Sequence, residues 1–280
     1  MAKRNRVTNQ AVIDRRIKEG RGQGQGSDYK PWLLVQDVAS RGLATRIKGM
    51  KTRRVHHFLS QLELNYFYLL EWSEKVVDIR EQYPLLPIEE TVAIAQQCQI
   101  RHPVDPKTQN PIVMTTDFLI SQSHCIGTKE QARTVKTAAD LQSERTIEKL
   151  EIERQYWLSR DIDWGIVTEH EIPTILAKNI AWLHPYFSTE DLSLSHQQIH
   201  QIATALTLRV ATNNQPLADI AADCDDVLGL PPGFSLSVAR HLIANRQWLV
   251  DMNKPIQPSE PLILLAIPSV ELKKIAEGVQ

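Results

Sequence analysis

The stretch MTTDFLISQSHCIGTKEQARTVKTAADL, residues 114–141, has the pattern of a β-hairpin with polar residues at a few positions. Asp117 lies among apolar residues, where an unpaired carboxylate is costly to bury, so a metal or a partner group must compensate it. Side-chain alternation places Thr134 and Lys136 on one face of the second strand and Val135 on the other. The hairpin therefore predicts that Asp117, Thr134 and Lys136 meet at one spot, to which the Val135 carbonyl could add a ligand.

Glu63, near the start of a predicted helix, is a further candidate. Phosphodiester hydrolysis with a divalent metal requires hard oxygen ligands and a group that positions hydroxide, and Glu63, Asp117 and Lys136 offer that set. A structural interpretation is also open: Ser60 and Glu63 match a helix capping box, and Asp117 with Lys136 matches a cross-strand ion pair. Spacing by itself slightly favours the structural interpretation.

The composition predicts a soluble, intracellular protein of two domains. The chain has 280 residues, of which 42% are hydrophobic and 23% charged. No segment approaches the roughly 18 consecutive apolar residues that a membrane span requires. The 3 cysteines are far apart in the sequence, which argues against a disulfide framework and against a zinc site.

Charge is distributed unevenly along the chain. Residues 1–60 hold 14 basic and 4 acidic side chains, residues 61–187 hold 12 and 19, and residues 188–280 hold 6 and 10. The basic end is where a polyanion would bind, and carboxylates around a metal are one explanation of the acidic middle. Candidate DNA-binding residues are Arg15, Arg16, Lys18, Arg21, Lys51, Arg53, Arg54 and Arg80. For Arg80, an internal ion pair is an equally good interpretation.

Glycines at alternate positions in GRGQGQG, residues 20–26, predict a flexible basic loop. No strand precedes these glycines, so they fail the context that a dinucleotide-binding fingerprint requires. We expect the loop to approach a phosphate backbone, and a plain linker is the alternative.

The order of predicted elements indicates two architectures. Residues 1–187 alternate helices and strands around one central sheet, with the hairpin in its middle. Residues 188–280 contain three helices followed by two short strands, which is the winged-helix order.

Several long segments resemble the TnsA family, the endonuclease subunit of heteromeric cut-and-paste transposases. They are RRIKEGRGQGQGSDYKPWL, RVHHFLSQLELNYF, VVDIREQYPLLP, TTDFLI and LQSERTIEKLEIERQYW, in the family's order. The resemblance covers most of residues 10–187, whereas the C-terminal part is similar only in size, position and winged-helix order. It implies an α/β restriction-endonuclease-like domain over residues 1–187 and a mainly α, winged-helix-like domain over residues 188–280.

The resemblance also implies roles for the site residues. Glu63 and Asp117 would be ligands of Mg²⁺, with Mn²⁺ as a substitute, and Lys136 would position or activate the attacking water. The family typically has Gln or Glu two residues before the lysine, where this chain has Thr134. Thr134 would therefore reach a metal only through a water, while the Val135 carbonyl would be a direct ligand.

The implied activity is cleavage of the 5′ strands at transposon ends, in the cytoplasm and at the nucleoid, without a membrane. The implied partners are DNA, the DDE transposase TnsB and the AAA+ regulator TnsC. The acidic C-terminal domain is better suited to bind protein than DNA, so we expect TnsC to dock there. Two alternatives are open: a nuclease fold that has lost its chemistry and serves as an assembly module, for which Thr134 is the sequence support, and a free-standing nuclease that cuts without partners.

Overall fold

The structure is a computed structural model that describes residues 8–38, 44–125, 127–190, 192 and 194–267. The chain divides into two compact units, residues 1–172 and 173–280. The sequence predicts a boundary after residue 187. The structure has it after residue 172, because the helix over residues 174–183 packs against a later helix of the second unit.

The first unit combines helices with a mixed β-sheet. Its helices are α1 Gln10–Lys18, α2 Gln61–Trp72, α3 Ile88–Gln97 and α4 Glu144–Leu158. Its strands are β1 Thr45–Lys48, β2 Val55–Phe58, β3 Val76–Pro84, β4 Thr115–Ser123, β5 Thr128–Val135 and β6 Asp163–Val167. Strands β1 and β2 pair with each other, and the main sheet has the order β3-β4-β5-β6. Neighbours in it are antiparallel except β5 and β6, which are parallel. The hairpin predicted over residues 114–141 is β4–β5.

Helix α4 covers one face of this sheet. Ile152 and Trp157 of α4 are almost fully buried and belong to one apolar cluster with Leu119 of β4 and Ala132 of β5. Burial of such side chains contributes about 1.5–3 kcal/mol each. The packing fixes α4 over the middle of the hairpin, next to the residues that the sequence predicts as the site.

The N-terminal segment, residues 20–32, is folded onto strand β3. The Tyr29 hydroxyl donates to Glu81 O at 3.1 Å, and Trp32 N–H donates to Gln82 O at 3.1 Å. Both aromatic side chains are buried. The prediction of a flexible loop is therefore corrected, since these contacts hold the segment against the strand that precedes the hairpin.

The second unit is helical. Its helices are α5 Thr174–Leu183, α6 His196–Thr212, α7 Leu217–Leu228 and α8 Phe234–Ala244. The three helices predicted after residue 188 are confirmed as α6, α7 and α8. In the described part of the chain, the two predicted strands after α8 are reduced to an isolated antiparallel bridge between Leu249 and Ala266. None of the described helices has both the length and the apolar character needed to cross a bilayer.

Candidate active site

Glu63 lies in the first turn of α2 and is buried, with 7% of its surface exposed. Its carboxylate accepts Leu59 N–H at 3.0 Å and the Ser60 hydroxyl at 2.8 Å, and Glu63 N–H donates to Ser60 Oγ at 3.1 Å. This reciprocal arrangement caps the start of α2. The structural interpretation of Glu63 is therefore realised in part: Ser60 caps the helix, but the Glu63 carboxylate bonds Leu59 N–H and the Ser60 hydroxyl in place of the Ser60 N–H of a capping box. These bonds do not prevent the carboxylate from facing the hairpin.

Asp117 closes a gap between β4 and β5. The regular pairing of these strands ends at Phe118 and Arg133. Beyond that pair, Asp117 Oδ2 accepts Val135 N–H at 2.8 Å and the Lys136 ammonium at 2.9 Å. The carboxylate thus replaces a strand–strand hydrogen bond while it holds the lysine.

The Lys136 ammonium also donates to Val135 O at 2.9 Å. Burial by itself lowers the pKa of Lys136, but the adjacent Asp117 carboxylate outweighs this, and the pKa is raised above its ordinary value. Lys136 is consequently a cation at neutral pH. The structure brings Asp117, Val135 and Lys136 together, and Gln82 connects Glu63 to Asp117. The hydroxyl of Thr134, predicted at the same spot, bonds Glu153 instead.

Gln82 of β3 lies between the two carboxylates. Its side-chain Nε2 is 3.4 Å from Glu63 Oε2 and 3.5 Å from Asp117 Oδ1, and its Oε1 accepts the Thr115 hydroxyl at 3.2 Å. Gln82 is 2% exposed and has a φ of 49°, a left-handed conformation that costs a non-glycine residue about 1 kcal/mol or more. In the sequence, Gln82 is marked only by sharing a strand face with Arg80. That pattern does not predict that Gln82 lies between two acids.

Thr134 faces a carboxylate that the sequence motifs do not single out. The Thr134 hydroxyl donates to Glu153 of α4, and the same carboxylate oxygen accepts the Thr116 hydroxyl at 2.7 Å and the Trp164 indole N–H at 3.0 Å. Burial, aided by Asp117, raises the pKa of Glu153 to about 7. A signal is present in the sequence, because Glu153 falls at helical spacing within an otherwise apolar stripe of α4.

The electrostatics of the carboxylate pair favour a cation. Burial, and next the charge of Asp117, raise the pKa of Glu63 to about 7. Only one ammonium, that of Lys136, contacts the pair in the described chain. Two buried carboxylates and the Val135 carbonyl are hard oxygen donors of the kind that Mg²⁺ prefers. Among the described residues no three His, Cys, Asp or Glu side chains form a metal-binding group, so this set rests on two carboxylates.

Four of the predicted DNA-binding residues are engaged in ion pairs within the fold. Arg54 and Arg80 are buried, Arg54 against Glu81 and Arg80 against Glu130 and Asp78. The other two, Arg16 and Arg21, both pair with Asp37. Of the two interpretations of Arg80, DNA contact and an internal ion pair, the structure contains the ion pair.

The remaining four predicted DNA-binding residues lie nearer the surface. Arg15, Lys18 and Arg53 are exposed, and Lys51 is half-buried. Arg15 forms only a loose pair with Glu19 at 3.6 Å. Of the eight predicted DNA-binding residues, Arg15, Lys18 and Arg53 are thus the three that the structure leaves exposed to solvent, and Lys51 is partly exposed.

The Arg54 pair belongs to a buried network under β3. The Glu81 carboxylate accepts the Arg54 guanidinium at 2.8 and 2.5 Å, contacts His56 Nδ1 at 2.8 Å, and accepts His57 N–H at 3.0 Å. Burial raises the pKa of Glu81, but His56 and Arg54 overcome this and lower it well below its usual range. The network fixes the residue that precedes Gln82.

Comparison with known proteins defines the class of the chain. Residues 73–169 match the family model described as TnsA-like endonuclease N terminal, and residues 171–252 match the model described as TnsA endonuclease C terminal. Asp117 and Lys136 lie inside the first matched range, and Glu63 lies just before it.

A curated relative extends the match over most of the chain. The Transposon Tn7 transposition protein TnsA of Escherichia coli is 44% identical over 246 residues, which covers 88% of this chain and 87% of that protein. The chain belongs to the TnsA endonuclease family, and the resemblance read from its sequence is confirmed.

Proposed function

We propose that this protein is a Mg²⁺-dependent DNA endonuclease that cleaves the 5′ strands at transposon ends. The observation that carries the proposal is the convergence of Glu63, Asp117 and Lys136 from three separate elements of a chain that belongs to the TnsA family. The first unit, with helices packed on a mixed sheet and the site at the end of its central hairpin, is compatible with a restriction-endonuclease-like fold.

In this proposal the metal is held by Glu63, Asp117 and the Val135 carbonyl, with Mn²⁺ as a substitute. When bound, a divalent ion polarises the phosphoryl oxygens and lowers the pKa of water. Lys136 orients the attacking water as a hydrogen-bond donor and stabilises negative charge on the phosphate. In the metal-free chain the Asp117 carboxylate outweighs burial and raises the pKa of Lys136, which supports the role of a donor.

Gln82 acts as a positioning residue in the same proposal. Its amide lies within 3.5 Å of both carboxylates, so it sets their separation before a metal arrives. The strained backbone at Gln82 supports a functional role, since such conformations persist where the surrounding structure requires them.

Thr134 supports an arrangement with one metal. The Thr134 hydroxyl donates its hydrogen to Glu153. Because the residue is a threonine, this position also lacks the amide or carboxylate that it usually holds in the family. Any contribution through a bridging water would use the remaining lone pairs of the Thr134 oxygen.

We further propose that the protein acts with a DDE transposase, TnsB, and an AAA+ regulator, TnsC, at transposon ends in the nucleoid. The acidic balance of residues 188–280 supports protein docking over DNA binding in the second unit, for which we retain a winged-helix-like description. The exposed residues of the basic N-terminal segment supply DNA contacts.

The assembly-module alternative is favoured by one observation: the Glu63 carboxylate already accepts Leu59 N–H and the Ser60 hydroxyl at the start of α2, which accounts for Glu63 without any metal. Metal titration by calorimetry separates the two functions. An endonuclease binds Mn²⁺ and loses that binding in Asp117→Asn, whereas an assembly module binds no Mn²⁺ in either form.

The main test is strand-specific cleavage mapping on a transposon-end duplex, with and without the partner transposase, in Mg²⁺ or Mn²⁺. We expect 5′-strand nicks from the wild type and none from Asp117→Asn. The matched control is Asp163→Asn, which alters an exposed ion pair with Arg133. Absence of 5′ nicks in the full mixture, or wild-type nicking by Asp117→Asn, would overturn the proposal, and nicking without the transposase would point to a free-standing nuclease.

A further inference from the structure

A basic cleft lies in the first unit between the loop after α3 and the first half of α4. It has a volume of about 360 Å³, and its polar lining residues are Arg101, His102, Gln109, Arg145 and Lys149. The other lining residues are two prolines and a valine, and the lining contains no acid. None of these residues is among the DNA-binding residues expected from the sequence.

The loop that forms one wall is held in place. Asp105 accepts the backbone N–H groups of Lys107 and Thr108 at 2.9 and 3.1 Å, and Val104 forms a bridge with Pro111. Asp105 is buried and is not a lining residue, so its charge is used inside the loop. The cleft is therefore a formed surface with its own fixed wall.

The cations of the cleft are poorly compensated. Arg145 pairs with Glu148 at 2.6 Å, but within the described ranges neither Arg101 nor Lys149 has an ion-pair partner. Partial burial, then Arg145 and Lys136, lower the pKa of Lys149. The charges that act on Lys149 are thus positive. This contrasts with residues 61–187 as a whole, where acidic side chains outnumber basic ones by 19 to 12.

His102 is bonded in a way that suits a positive charge. Its Nδ1 lies 2.9 Å from Pro103 O, which can only accept, and its Nε2 lies 3.0 Å from Thr91 Oγ1. The Thr91 hydroxyl donates to Ile88 O at 2.9 Å, so its oxygen accepts from Nε2. With a hydrogen on both nitrogens the ring is in the imidazolium form, which an anion in the cleft would favour. In the anion-free chain, burial, then Arg145, lower the pKa of His102, so the ring gains its charge together with the anion.

We propose that the basic cleft binds a backbone phosphate of the DNA that the active site cuts. Arg101, Arg145 and Lys149 donate to the phosphate oxygens, and His102, which lines the same cleft, becomes charged as the anion binds. Helix α4 joins the cleft to the catalytic hairpin, because it carries Arg145 and Lys149 of the cleft and also Glu153, which accepts the Thr134 hydroxyl. This inference rests on the proposed endonuclease function and adds the surface that fixes the register of the DNA.

Phosphate contacts position a duplex without reading its sequence, and they make binding depend on salt. Removing two of them should therefore weaken binding equally for transposon-end and unrelated duplexes. It should also reduce the slope of log K against log salt concentration by about 2, because each phosphate-binding cation accounts for about 1.

The test uses the full chain and the double variant Arg101→Gln/Lys149→Gln, whose changed side chains are exposed and should not affect folding. Fluorescence anisotropy with a labelled duplex, without metal, gives the affinity at several salt concentrations. We expect an affinity lower by about tenfold at low salt, the smaller slope, and an unchanged thermal midpoint. The matched control is Lys107→Gln, an exposed lysine of the same loop that does not line the cleft.

The outcomes separate this inference from the proposed function. If the wild type nicks transposon-end DNA and the double variant binds with the same affinity and slope, the cleft assignment is wrong and the endonuclease stands. A loss of affinity confined to one duplex sequence would also overturn the phosphate assignment, because it indicates base recognition. If the wild type neither binds nor nicks DNA, the proposed function fails and the cleft assignment fails with it.

Discussion

Replacing Glu63 with glutamine should stabilise the metal-free protein while it abolishes cleavage. In the folded chain, burial and Asp117 raise the pKa of Glu63 from 4.5 to about 7. The unfolded chain therefore ionises this group first, and the folded state loses stability as the pH rises from about 4.5 to about 7. Glutamine keeps the size of the side chain and an oxygen that can accept Leu59 N–H, but it does not ionise.

The magnitude follows from the shift in pKa. At 1.36 kcal/mol per unit, a rise from 4.5 to about 7 corresponds to about 3 kcal/mol of stability lost by the wild type above pH 7. Loss of the charged capping acceptor at the start of α2 offsets about 1 kcal/mol of the gain. Glu63→Gln should therefore exceed the wild type by about 2 kcal/mol at pH 8, and it should not exceed it at pH 4.5.

The assay is hydrogen exchange of the α2 and β4 peptides in increasing urea, with EDTA, at pH 4.5 and pH 8. These peptides report the unit that contains the site. The matched control is Glu89→Gln, an exposed glutamate in the first turn of α3, which should leave the pH dependence unchanged. Excess Mg²⁺ should reverse the order at pH 8, since only the wild type gains binding energy. A variant no more stable than the wild type at pH 8 in EDTA would refute the reasoning.

Three further changes test neighbouring parts of the site. Gln82→Ala should reduce nicking by about 10–100-fold and weaken Mn²⁺ binding measured by calorimetry, because the two carboxylates lose the residue that positions them; unchanged Mn²⁺ affinity would contradict this. Glu81→Gln should destabilise the protein by about 3–5 kcal/mol in urea unfolding, since it leaves the buried Arg54 without its anion; a destabilisation below about 1 kcal/mol would count against the network. Thr134→Gln should cost about 1–3 kcal/mol without raising nicking, because Glu153 occupies the space next to the fully buried threonine; faster nicking would show instead that the missing amide matters.

The residues of the hairpin could be predicted from sequence because their geometry is local. Alternation along β4 and β5 is enough to bring Asp117 towards Lys136, and a capping pattern is enough to place Glu63 in the first turn of α2. The mutual approach of these groups depends on how α2 meets the sheet. That step came from the resemblance to a family and not from the spacing of residues.

Gln82 and Glu153 could not be assigned from local pattern. The position of Gln82 between two carboxylates depends on a left-handed backbone in β3 and on the approach of α2, which sequence spacing does not encode. In the sequence, Glu153 is distinguished only as an acid in an apolar helix stripe. Its partner Thr134 is 19 residues away, so the pattern of α4 does not predict the contact. Such contacts arise from tertiary packing.

The positive charge of residues 1–60 overstates how many arginines are available to DNA, for a related reason. Composition shows how many arginines are present but not where their counterions lie. The partner of Arg54 is Glu81, 27 residues further on, and the partner of Arg80 is Glu130, 50 residues further on. Both arginines therefore form ion pairs inside the fold. The net charge of a segment indicates DNA contact only after such internal pairs have been subtracted.

The contacts of the N-terminal segment with β3 also impose an order on the folding of a nascent chain. Tyr29 and its acceptor Glu81 are 52 residues apart, so the segment leaves the ribosome before its docking strand has been made. At about 5–20 residues per second, that interval lasts several seconds. During this time the basic segment is exposed while the strand that carries Gln82 is absent. The segment is thus synthesised before the strand on which it docks, and its positive charge is present before the catalytic site is complete.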